Sequence, residues 1–122
     1  MTTKLYHKDI FLPANILHFD FGASYRLAYS RHAMLEALRD KLGTVTRPPK
    51  WVDFSDAQVI EAEITNDTDI TKLVVRLPYD NTRDIILVLR NFHDGAAIVV
   101  TLWTNAIDDT HATLDRSKYA TS

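Results

Sequence analysis

His32, Arg76 and His111 are the residues of this chain whose types best fit acid–base or phosphate chemistry. A histidine titrates near neutral pH and is the commonest general acid or base. His32 opens a helical stretch, beside its apolar stripe, where an imidazole reaches toward whatever the helix covers. Its structural alternative is a half-buried histidine near a helix N-terminus. His111 directly follows the last strand-like stretch and is a partner for such chemistry, whereas His7, His18 and His93 read as surface or loop histidines. Lys72 and Arg76, four residues apart on an expected strand, share one face at a separation of about 13 Å. Glu61 and Glu63, on the neighbouring strand, are placed to pair with them. Either these charges neutralise one another across a solvated face, or the Arg76 guanidinium offers two parallel donors to a phosphate or its transition state.

Asp108, Asp109, Asp115 and His111 together suggest a hard divalent cation. The segment lacks the glycine and the spaced bidentate acid of a calcium loop, however, and no second histidine is spaced for zinc. Turn and cap duty is the better account of the aspartates, so neither metal nor cofactor is expected. There is no cysteine, hence no thiol nucleophile, disulfide or thiolate metal site. No phosphate-cradling glycine loop, dinucleotide fingerprint or nucleophile elbow is present.

The elements that must hold these residues follow from patterning. Ser30 is a suitable N-cap, the run from Arg31 to Leu42 is rich in helix formers, and Gly43 supplies a stop. A helix over 30–42 is expected, packing through Met34, Leu35, Leu38 and Leu42. Pro48 and Pro49 then enforce a stiff connector. Four strand-length stretches follow, 58–65, 71–77, 84–90 and 98–105, divided by turn-forming residues that make neighbours antiparallel. The third, apolar on both faces, belongs in a central position. Residues 1–29 read as an irregular N-terminal segment, with short strands near Tyr6–Phe11 and Tyr25–Tyr29, and 106–122 as a C-terminal tail. The expected fold is a single α+β domain in which one main helix packs on a four-stranded antiparallel β-meander.

Its 122 residues, 46% apolar and 25% charged, suit one soluble core. A net charge of −2 gives no global pull toward nucleic acid. No apolar run is long enough for a signal or a spanning helix, so a cytoplasmic protein with no membrane partner is expected.

The order of helix and sheet, with Tyr29-Ser30-Arg31-His32-Ala33, Lys72-Leu73-Val74-Val75-Arg76 and Val99-Val100-Thr101-Leu102-Trp103-Thr104-Asn105, resembles the barnase–EndoU–colicin–RelE superfamily of small ribonuclease toxins. It looks most like a short bacteriophage-encoded relative, over about residues 25 to 119. The resemblance implies a metal-independent endoribonuclease in a bacterial host cytoplasm. In such an enzyme a base activates the ribose 2′-OH, a cation stabilises the phosphorane and an acid protonates the leaving 5′-oxygen. Carried over residue by residue, it implies His32 on the helix, Arg76 with Lys72 beside it as the cation, Thr101 on the last strand and His111 as the second acid–base group, with Glu61 in support. The rival from another class is a noncatalytic phage-type protein that binds and inhibits a host protein through Trp51, Trp103 and N-terminal aromatics. A third reading is a homodimer closed over a free sheet edge.

Overall fold

The computed structural model describes residues 3–7 as backbone, and residues 19, 22–66 and 68–108 in full. Seven strands and one helix follow in the order β1 (Thr3–His7), β2 (Ser24–Tyr29), α1 (Arg31–Leu38), β3 (Trp51–Asp53), β4 (Gln58–Thr65), β5 (Asp69–Pro78), β6 (Arg83–His93) and β7 (Ala96–Ala106). All the strands join one sheet, ordered β1-β4-β5-β6-β7-β2-β3.

This corrects the expected four-stranded antiparallel meander under a main helix. The protein is mostly sheet, and the sheet is curled and mixed, because β2 runs parallel to β7. The four expected strands form its middle, and β6 occupies the fourth of seven places. Left alone, β4 and β7 would each expose a row of unpaired backbone groups. The N-terminal segment fills both rows: β1 pairs with β4, and β2 pairs with β7. Within β2, Tyr25 and Leu27 are buried while Ser24, Arg26 and Ala28 are exposed, the alternation of a strand with one covered face. Its partner lies some 70 residues further along the chain, as the bond between Ser30 and Val100 illustrates, so nothing local announces the pairing.

The turns carry their own logic. Asp94 and Gly95 both have positive φ, 50° and 74°, the backbone of a two-residue hairpin whose twist matches its strands. Between β5 and β6, Asp80 Oδ1 accepts from the backbone N–H of Thr82 (2.8 Å) and of Arg83 (2.7 Å), and Oδ2 accepts from Arg83 Nε at 2.9 Å. These bonds, the one from the Thr82 backbone foremost, hold the carboxyl down at about 2, against 3.8 for an unperturbed aspartate. A depressed folded-state value means that the contribution is complete above about pH 4 and is lost as pH falls toward 2. Urea titrations at pH 5 and pH 2 are expected to show a loss of stability on acidification that is smaller in Asp80→Asn.

The sheet buries two apolar faces. One gathers Leu73, Val75, Leu77, Ile85, Leu87, Leu89, Val99 and Leu102 under Ala33, Ala37 and Val45. The other gathers Ile60, Val74, Ile86, Val88 and Trp103. The helix also departs from expectation. It spans Arg31–Leu38, and its buried residues are Ala33 and Ala37, while Met34, Leu35, Leu38 and Leu42 are 49%, 38%, 64% and 50% exposed. Two polar anchors set this rotation. Ser30 Oγ accepts from the Ala33 N–H and donates to Val100 O of β7. Past the other end, the Asp40 carboxylate accepts from the Thr104 N–H at 2.8 Å and from the Thr104 hydroxyl. Ser30, Ala33, Ala37 and Asp40 follow one another at helical spacing, so anchoring the outer pair presses the two alanines onto the sheet.

Candidate functional site

The site residues expected from the sequence separate into two groups. Val75 and Leu77 of β5 point into the helix-covered core, so Lys72, Val74 and Arg76 point to the opposite face. Glu61 and Thr101 lie on that second face, since Glu61 is opposite Val74 and Thr101 opposite Val88. The four are deeply buried: Glu61 is 1%, Lys72 4%, Arg76 9% and Thr101 4% exposed. The expected solvated charge face is instead a packed one.

Arg76 is engaged within it. Its Nε donates to Asp84 Oδ2 at 2.7 Å and its Nη2 to the Ala106 carbonyl at 3.2 Å. Further along the same face Arg90 lies 3.6 Å from Glu63, which also accepts from Thr71 Oγ1 at 2.8 Å. Lys72 sits between Glu63 and Arg90 in cross-strand register. The backbone of β1 brings His7 opposite Glu61. Such a ladder ties β4, β5 and β6 together, and within it Arg76 Nε and Nη2 are already taken by a carboxylate and a carbonyl.

His32 is elsewhere. It stands on α1, across the sheet from Arg76, with a side chain 64% exposed and its Nε2 3.6 Å from Glu36 Oε1. His111 lies outside the described residues, as do Asp109 and Asp115 of the acidic segment. The structure therefore brings Glu61, Lys72, Arg76 and Thr101 onto one buried face and leaves His32 on the other side. Among the described residues no three histidine or carboxylate side chains stand close enough to hold a metal ion. No helix of those residues is long and apolar enough to cross a membrane.

Two accessible features stand out among the described residues. The first is the outward stripe of α1, legible in the sequence as apolar spacing but assigned there to the core. Arg31, Arg39 and Lys41 are exposed around it. The second is a cleft of about 400 Å³ lined by Pro49, Trp51, Asp53, Asp56, Leu77 and Pro78. Of the two tryptophans, Trp103 is buried at 6% exposure and packs in the second core, whereas Trp51 is 58% exposed. The alternation in Trp51-Val52-Asp53 is the signal that the sequence offered for the cleft. Val52 is fully buried, so its two neighbours point outward.

The loop carrying the cleft is fastened on both sides. Tyr29 Oη donates to the Pro49 carbonyl, and burial raises the Tyr29 pKa. Tyr79 Oη accepts from the Thr46 N–H at 3.0 Å and the Arg47 N–H at 3.1 Å. Burial works to raise the Tyr79 pKa, but these donors and the nearby Arg83 outweigh it and leave it lowered. Comparison with protein-family models, curated proteins and solved structures gives no significant match for this chain, so its function is argued from these surfaces.

Proposed function

We infer that this chain is a noncatalytic interaction protein that docks the outer face of α1 into an apolar groove with an acidic rim on another protein. The observation that carries this reading is the outward rotation of the helix. Met34, Leu35 and Leu38 are exposed on an element whose inner side is locked to β7 at both ends, and Leu42 in the turn beyond it is exposed as well. A run of exposed apolar side chains on one helix face marks a contact surface, and a helix laid in a groove is a common way to fill one. Charge selects the occupant. Two copies of α1 packed antiparallel would set Arg31 of one beside Arg39 and Lys41 of the other, whereas carboxylates on a different protein would complement all three.

The endoribonuclease reading draws no comparable support. Lys72 and Arg76 are buried away from any phosphate, and Arg76 already holds Asp84 and Ala106. Purified protein incubated with total tRNA and EDTA is expected to leave the RNA intact; cleavage abolished by His32→Ala would overturn the present reading.

The positive test uses the immobilised chain and a bacterial lysate, chosen because the family resemblance implies a bacterial host. Wild-type protein is expected to retain a partner that is released by salt, and a folded Leu35→Ser/Leu38→Ser variant to lose it. Trp51→Ala is expected to keep it. Equal capture by the stripe variant sinks the proposal. A wild-type dimer in sedimentation that becomes monomeric in that variant would assign the stripe to self-association instead.

A further inference from the structure

The cleft beside Trp51 is separate from the α1 stripe, and its chemistry differs. Three of its walls are apolar: the Pro49 and Pro78 rings and Leu77. A fourth is the exposed indole of Trp51, a flat face with negative charge above the ring. The polar groups are Asp53 and Asp56. Asp53 Oδ1 accepts from the Ser55 N–H at 3.0 Å and the Ser55 hydroxyl at 2.8 Å. These bonds, the backbone one foremost, lower the Asp53 pKa and keep the carboxylate charged at neutral pH. Asp53 Oδ2 and the Asp56 carboxylate have neither a hydrogen bond nor a cationic partner among the described residues. Arg26 stands opposite Trp51 in the β2–β3 register but does not stack on it.

We propose that this cleft binds a guanidinium group carried on a short aliphatic stem, the chemistry of an arginine side chain. A planar cation stacks on an indole, donates in parallel to carboxylates and lays its methylenes on apolar walls. The cleft offers all three surfaces, and among the described residues no cation lines it. Its volume is that of a small-molecule pocket, with room for a guanidinium and several methylenes. The site is also preformed. The Tyr29 hydroxyl fixes the Pro49 carbonyl, and Asp56 is brought round by the bond from its N–H to the Asp53 carbonyl at 3.0 Å. An ammonium would gain the charge but not the stacking, and an uncharged isostere would gain neither.

The test is an NMR titration that follows the indole N–H of Trp51, with the buried Trp103 as internal reference. The probes are n-butylguanidinium, its neutral isostere n-butylurea, and an acetylated, amidated Gly-Gly-Arg-Gly-Gly peptide. Saturable shifts of Trp51 at millimolar n-butylguanidinium are expected, with none from n-butylurea. Asp56→Asn, which breaks no hydrogen bond of the fold, is expected to weaken binding by about tenfold, one charged contact's worth. Peptide binding about tenfold tighter than the small cation would identify an arginine on a chain as the ligand, and equal binding a free guanidinium compound. Equal response to n-butylurea, an unmoved Trp51, or undiminished affinity in Asp56→Asn would each overturn the assignment. Because Leu35 and Leu38 do not line the cleft, the stripe variant Leu35→Ser/Leu38→Ser is expected to leave this titration unchanged, and failure here and failure of the helix docking are distinguishable.

Discussion

Asp84→Ala is expected to lower stability by about 3 kcal/mol, because it takes a carboxylate away from the buried Arg76 Nε. The Arg76 side chain is 9% exposed and Asp84 20%, so little solvent can replace the 2.7 Å bond. In a chain of this size the loss should read as a fall in Tm of roughly 10 °C. The double substitution Arg76→Met/Asp84→Ala should behave differently. It removes both charges along with their desolvation cost and keeps an apolar stem beside Val74 and Ile86, so its effect is expected to be smaller than that of Asp84→Ala alone. Thermal unfolding of the two variants side by side checks the claim. If Asp84→Ala melts with the wild type, the pair does not carry the structural role assigned to it.

The second large effect sets two helix substitutions against each other. Ala33 is fully buried against the sheet, and Ala33→Leu adds a branched side chain where the helix backbone approaches β7. Overpacking of this kind costs about 1–3 kcal/mol, and lifting the helix also strains the Ser30 and Asp40 anchors. Leu38 is 64% exposed, so Leu38→Ser should stay within about 1 kcal/mol of wild type. Urea midpoints of both variants are the measurement. A reversed order, with Leu38→Ser the more damaging, would mean that the leucine face is the one that packs. Burial of the usual kind would demand that reversed order, since leucine is ordinarily a core residue and alanine a neutral one.

What the sequence revealed depended on how far apart the interacting residues lie. The strands near 58–65, 71–77, 84–90 and 98–105 were legible because each pairs with its neighbour across a short turn. The pairing of β2 with β7 was not, because register between segments so distant leaves no periodic trace in either. Helix rotation failed for another reason. Hydrophobic spacing in residues 30–42 points to Met34, Leu35, Leu38 and Leu42 as the inward face, whereas Ala33 and Ala37 are the buried ones. The deciding contacts were polar, Ser30 to Val100 and Asp40 to Thr104, and invisible without β7. The shared face of Lys72 and Arg76 was read correctly from alternation. Its burial was not, because a strand pattern says which side a residue takes and not what covers it. The Trp51 cleft was half legible: the sequence offers Trp51 and Trp103 alike as contact residues, Trp103 is buried, and Leu77 and Pro78 reach Trp51 only through the curl of the sheet.

The parallel seam between β2 and β7 also fixes an order of events. A ribosome delivers residues 24–53 long before β7 emerges, and until then β2 has no neighbour on its β7 side and α1 neither of its anchors. Closing a loop of that length before any contact rewards it is slow, so folding should wait on the last strand rather than proceed from the N-terminus. In that interval both sides of the helix, the alanine side and the leucine side, are open to solvent or to a chaperone, and the arrival of Val100 and Thr104 decides which of them stays outside.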